Sequence, residues 1–179
     1  MVAKLKKTSE ITVEQASDYS NQWVADGVRQ YTELLESADP SAIAVQLALW
    51  RANHTQYLAN SRAIDALELT VNVSGSRLAV LRALYCEPTK SMALSAISKA
   101  AFISPTMVTN LVDGLERGGL VKRVGSPDDR RVSIACLTDE GKDAFEKILP
   151  VMSQRMTEAC AGFTEEEKQT LVSLLQRLY

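Results

Sequence analysis

Residues 103–141 read ISPTMVTNLVDGLERGGLVKRVGSPDDRRVSIACLTDEG, and this run decides the fold. Ser104-Pro105 opens a helix. The serine supplies an N-cap oxygen, and proline suits the first turn, where a backbone N–H would go unpaired in any case. Val108, Leu111, Val112 and Leu115 recur at helical spacing with Met107 beside them, and these five are expected in the core. Gly118-Gly119 ends the helix near residue 117. The period then changes. Leu120–Val124 reads as a short strand, Gly125–Asp129 is dense in turn residues, and Val132–Leu137 alternates apolar and small residues. The two runs form a β-hairpin. Thr138, with Glu140-Gly141 behind it, begins a long helix over about 139–161.

Upstream, Ser74-Gly75-Ser76 starts a helix with Leu78, Leu81, Ala83, Leu84 and Tyr85 facing inward, and Glu87-Pro88 ends it. A short helix spans about 94–101. Three helices followed by a two-stranded ribbon is the layout of a winged helix-turn-helix. A helix fits the major groove of DNA, and a basic hairpin reaches an adjacent groove or the backbone. Further out, residues 12–36 read as a helix, with a Thr12/Gln15 capping-box pattern and Val13, Ala16, Tyr19, Trp23, Val28, Tyr31 and Leu35 at helical spacing. Asp39-Pro40 starts another, to about 68, with Ile43, Leu47, Trp50, His54, Tyr57, Ser61 and Ile64 on one face. Its first part, Ala42–Trp50, is apolar almost all round, as suits a helix buried between two subunits. Thr164 followed by Glu165–Glu167 opens the last helix, with carboxylates near its positive end.

The 179 residues suit one domain, or one domain with an appendage. Apolar residues make up 46% and only 8 glycines and 5 prolines occur, which excludes collagen-like and low-complexity chains and favours a helical fold. No stretch approaches the ~20 apolar residues of a membrane span. The basic start, Met1–Lys7, is followed by no apolar core or cleavage site, so the chain is expected in the cytoplasm, unprocessed and without membrane contact. The net charge is −2, yet the segment from Lys90 to Arg131 carries +3 and the remainder −5. A basic segment in acidic surroundings points to a local anion-binding surface, although a solvated charged face looks the same.

Leu94–Ser98, Ile103–Thr109, Leu111–Arg123, Ser126–Arg131 and Leu137–Gly141 together resemble the MarR family of bacterial transcriptional regulators. The likeness runs over about 42–179, and its wing signature is Asp-x-Arg followed after five residues by Leu-Thr and then Gly. It implies a mainly α fold with a small β-hairpin wing, a winged helix-turn-helix bracketed by N- and C-terminal dimerisation helices. The expected organisation is a helical N-terminal extension over 1–39, a dimerisation helix over 40–72, a DNA-binding lobe over 73–138 and dimerisation helices over 139–179. Phe102 departs from the pattern, because the family usually has glycine there. Either the turn takes a positive φ at modest cost, or it is shaped differently with Phe102 packed inward.

The resemblance implies double-stranded operator DNA and a second copy of the chain as partners. Ser104 and Thr106 sit where backbone N–H groups and hydroxyls suit phosphate. Thr109, Asn110 and Asp113 lie further along an exposed face, where Asn can contact adenine in bidentate fashion and Thr a thymine methyl. In the wing, the resemblance implies an arginine in the minor groove oriented by an aspartate: Asp129 with Arg131, or with its neighbour Arg130.

The resemblance further implies a small-molecule pocket between the dimerisation helices and the DNA-binding lobe, often for aromatic acids. Trp50, Arg51, His54 and Tyr57 would suit an aromatic carboxylate or its thioester, while an aromatic stripe at this spacing also suits a core. Release by such an effector makes the chain a repressor; thiol-based redox sensing and a helical adaptor using the lobe for protein contacts are the alternatives. Cys86, Cys136 and Cys160 are odd in number and far apart, and are expected to be buried, inert thiols. A single histidine and the lack of CxxC, phosphate-loop and GxSxG motifs argue against an enzyme, a metal site or a cofactor.

Overall fold

The computed structural model describes residues 21–35, 37–69, 71–73, 75–125 and 132–178. The Thr12/Gln15 cap, the first part of the helix expected over 12–36, Ser74 and the turn at 126–129 lie outside the described residues. The chain divides into two compact units, Met1–Leu58 and Ala59–Tyr179, with the boundary inside one helix.

In the first unit, α1 (Asn21–Leu34) packs against the start of α2 (Pro40–Asp65). Asp39 caps α2 as its side chain accepts hydrogen bonds from the Ser41 hydroxyl (2.7 Å) and from the backbone N–H groups of Ser41 and Ala42. Those bonds, the Ser41 hydroxyl first, hold the carboxyl below its ordinary range. Gly27 lets α1 approach, since a Cβ there would meet Leu47 Cδ1 at 2.6 Å.

The second unit contains α3 (Ser76–Cys86), β1 (Ser91–Ala93), α4 (Leu94–Ala101), α5 (Pro105–Arg117), β2 (Val121–Gly125), β3 (Ser133–Leu137), α6 (Asp139–Ala159) and α7 (Glu165–Leu175). The sheet is antiparallel in the order β1-β3-β2. β2 and β3 pair from Val121–Leu137 to Gly125–Ser133, and β1 adds on the far side with Ser91 opposite Cys136. β1 is absent from the sequence reading, because three residues are too few to show a period of two.

The core is built by residues three and four apart: Val80, Leu81 and Leu84 of α3, Val108, Val112 and Leu115 of α5, and Ala144, Phe145 and Ile148 of α6. Ile97, Val121 and Ala135 close it. Each such valine, leucine, isoleucine or phenylalanine side chain removed from water contributes about 1.5–3 kcal/mol. Tyr85 packs against Phe145 with its ring tilted by 38° and donates to Glu146 Oε1 at 3.0 Å, tying α3 to α6; that bond raises the phenol above its ordinary range. Two joints position the wing. Gly119 takes φ 76°, a conformation disfavoured for residues with a Cβ, and turns the chain from α5 into β2. Thr138 caps α6 and also donates to the Gly119 carbonyl at 2.7 Å.

Two expectations are corrected here, for Met107 and the cysteines, and one open alternative, at Phe102, is decided. Met107 is half exposed rather than core, because it lies on the flank of the α5 stripe beyond the reach of α3 and α6. Of the two readings of the turn at Phe102, the positive-φ one holds and the inward-packed one does not. Phe102 takes φ 54° and ψ 43°, and the residue is 93% exposed; the left-handed backbone costs about 1–2 kcal/mol. The cysteines are free thiols but not buried: Cys86 is exposed at the C-terminal end of α3, and Cys136 and Cys160 are partly exposed. Among the described residues, no helix is long and apolar enough to cross a membrane.

Candidate nucleic-acid interface

α5 is amphipathic, and its outer face carries the polar side chains. Ser104 Oγ accepts from the Met107 N–H, and Pro105 occupies the first turn, so the helix starts as its sequence dictates. Ser104, Thr106, Thr109 and Asn110 are all exposed, on the side opposite Val108, Val112 and Leu115. Thr109 Oγ1 donates back to the Pro105 carbonyl at 3.2 Å, which spends its proton inside the helix and leaves its methyl group and lone pairs outward. Four expected contact residues thus share one exposed surface of hydroxyls and an amide.

The strongest organising residue was missed in the sequence, where Arg123 counted only as one of several basic residues. From β2 it reaches across to α5. Its Nη2 lies 2.5 Å from Asp113 Oδ1 and donates to the Thr109 carbonyl at 2.8 Å. Its backbone N–H donates to Glu116 Oε1 at 2.9 Å, and its Nε, which makes no hydrogen bond, lies 3.7 Å from Glu116 Oε2. The guanidinium neutralises two carboxylates on the helix that would otherwise repel an anion, and it fixes the wing strand against the helix. Lys90 is also engaged internally: its ammonium donates to the Tyr85 carbonyl and sits over the Tyr85 ring. Lys99, Arg117 and Lys122 remain exposed to supply positive charge. Asp129, Arg130 and Arg131 fall between the paired ends Gly125 and Ser133 and lie outside the described residues.

In the first unit, Trp50 and His54 come together as their spacing implies, with centroids 5.2 Å apart and planes within 3°. Trp23 stacks on Trp50 at 5.5 Å, a contact the sequence did not reveal because it joins separate helices. Arg51 is half-buried, and Trp50 and Tyr57 are about half exposed.

The model of the MarR family matches residues 73–133, which hold the helix-turn-helix and most of the wing. YkoM of Bacillus subtilis, an uncharacterized HTH-type transcriptional regulator, is 32% identical over 102 residues, 57% of this chain and 65% of its own length. MhqR, an HTH-type transcriptional regulator of the same bacterium, is 30% identical over 103 residues, 58% of this chain and 70% of its own length. The chain belongs to the MarR family. That family comprises DNA-binding transcriptional regulators. Two solved structures share the fold at lower identity. Sco3205 of Streptomyces coelicolor, a MarR family regulator in complex with DNA, has a TM-score of 0.62 and 22% identity over 74% of this chain and 84% of its own. BpsR of Bordetella bronchiseptica, whose DNA binding is regulated by 6-hydroxynicotinic acid, has 0.67 and 23% over 75% and 91%.

Within this MarR-family lobe, the Arg123 clamp yields a direct expectation. Arg123→Ala should lower unfolding stability in urea by about 1–2 kcal/mol, the range for a part-exposed charged hydrogen-bond network. It should also weaken DNA binding, since Asp113 and Glu116 then face the duplex uncompensated. Arg123→Lys should recover little, because an ammonium cannot serve three acceptors with the geometry of a planar fork. Stability and DNA affinity both unchanged in Arg123→Ala would show the clamp to be idle.

Proposed function

We propose that the chain is a homodimeric repressor that reads a pseudo-palindromic operator through α5 and the wing, and that a small aromatic or anionic effector releases it. The observation that carries this reading is the Ser104-capped face of α5, where Thr106, Thr109 and Asn110 stand exposed beside a wing strand clamped by Arg123. Asp129 and Arg131, or Arg130, are assigned to the minor groove on their match to the family signature. The dimer reading is supported by α7, which buries none of its residues and exposes Leu171, Val172 and Leu174. The exposed Met156 and Phe163 extend that apolar surface along the chain.

The effector site is assigned to Trp50, Arg51, His54 and Tyr57. A stacked indole and imidazole, with a guanidinium on the next residue, suit a flat anion. A different cleft of about 390 Å³ fits such a ligand poorly, because Glu68, Glu140 and Asp143 line it against a single Lys147. The reading is supported by BpsR, whose DNA binding is regulated by 6-hydroxynicotinic acid, an aromatic acid.

The test combines stoichiometry with linkage. Sedimentation should give a dimer, and footprinting should show half-sites about one helical turn, roughly 10 bp, apart. A panel of aromatic carboxylates and phenols should contain one compound that weakens operator binding, with DNA weakening its binding by the same factor. His54→Ala and Arg51→Ala should blunt that response while leaving operator affinity nearly intact. A stable monomer bound singly to the operator would remove the dimer reading. Wild-type effector affinity in both variants would remove the pocket assignment.

A further inference from the structure

We infer that Phe102 is a DNA-contacting residue that packs on the apolar surface of the duplex beside the α5 reading face; the inference rests on the DNA-binding function proposed above. Two terms act against phenylalanine here. The backbone is left-handed, where glycine and asparagine sit with little strain and a bulky residue does not. The residue is 93% exposed, so almost nothing in the described chain repays its contact with water. A side chain that serves neither backbone nor core is available to a surface outside the fold.

Its placement says what that is. Phe102 ends α4 and stands two residues before Ser104, the N-cap of the reading helix. The turn is held firmly. The Phe102 N–H points at the Lys99 carbonyl, the Ile103 N–H donates to the Ser98 carbonyl at 3.1 Å, and Ser98 Oγ donates to the Ile103 carbonyl at 2.6 Å. The ring therefore projects from a fixed support. Around it in sequence are the exposed ammonium of Lys99 and the exposed Ser104 and Thr106, with the half-exposed Met107 following. A cation, an aromatic ring and hydroxyls in this order match the duplex edge, which alternates charged phosphates with deoxyribose faces and thymine methyls. An acidic or purely apolar protein surface would match only part of the set.

The test uses the full-length protein and a duplex recovered from a random-sequence library by selection on the wild type. Phe102→Gly and Phe102→Asn relieve the backbone, so each should raise Tm, by about 2–4 °C for a chain of this size. Each should nonetheless weaken binding of the selected duplex by about tenfold, equivalent to losing one good groove contact. Phe102→Tyr, which keeps the ring, should stay within about twofold of wild type on the same scale. The salt slope should not change in Phe102→Gly, whereas Lys99→Gln should lower it by about one unit if Lys99 meets a phosphate. Deoxyuridine in place of thymine separates the two apolar sources. A loss of wild-type affinity that Phe102→Gly does not share identifies a methyl group, and no loss in either identifies the sugar face. Phe102→Gly binding within twofold of wild type overturns the inference and leaves the ring for a protein partner. A lower Tm in Phe102→Gly overturns it too, since the ring would then be supporting the lobe. Recovery of no duplex at all would instead refute the DNA-binding function, and this inference with it.

Discussion

Gly141→Ala is expected to destabilise the lobe by about 2 kcal/mol or more. A Cβ at residue 141 would lie 2.0 Å from the Leu120 carbonyl oxygen and 2.9 Å from its carbon. Neither atom is a flexible side-chain end. The Leu120 carbonyl accepts from the Thr138 N–H, so it is fixed at the junction of α5, β2 and α6. Relief requires α6 to lift from the wing root, and that breaks the Thr138 contacts to Gly119 and Leu120 together. Such overpacking falls at or above the top of the usual ~1–3 kcal/mol range. The better helix propensity of alanine returns at most about 1 kcal/mol. Thermal unfolding should show Tm lower by about 4–8 °C. An unchanged Tm would mean that α6 is not seated on the Leu120 backbone. The leucine–threonine–glycine spacing of the wing signature thus has a packing cause: residue 141 must lack a side chain for the helix to dock.

Asn110→Ala is expected to cost about 1–3 kcal/mol at the operator and little on scrambled DNA, relaxing preference at one base pair per half-site. The amide is exposed on the outer face of α5 and supports no core contact, so its loss should leave stability within about 0.5 kcal/mol. Arg131→Ala should behave differently. A minor-groove arginine reads groove width and potential more than base identity, so operator and scrambled DNA should both bind less well. The salt slope should fall by about one unit if a phosphate contact is lost. Asp129→Ala should follow Arg131→Ala more weakly, because it removes orientation and not positive charge. Titration of the three variants against both DNAs over several salt concentrations reads all of this at once. Unchanged operator affinity in all three would move the reading surface away from α5 and the wing.

α4 and α5 lie where their sequence places them because their signals are local. Ser104 caps within one turn, Pro105 fits only at the helix start, and Gly119 sits where positive φ is needed. The family signature was legible for the same reason, as its residues cluster within the hairpin and its two flanking helices. The burial of borderline positions was not. Met107 and Cys86 are apolar residues at the edges of helical stripes, and whether such a residue is covered depends on how far neighbouring helices extend.

The sequence by itself determined the winged helix-turn-helix, the polar face of α5 and the family, since periodicity, caps and turn residues act over a few positions. Tertiary structure alone decided the rest. The Arg123 clamp joins residues as far as 14 apart, Trp23 meets Trp50 across two helices, and β1 exists only because β3 offers it an edge. Phe102 belongs to the same class. Its type was visible in the chain, but its left-handed backbone and exposed ring follow from how α4 and α5 meet. Contacts between distant residues depend on the relative placement of whole elements, which no local pattern encodes.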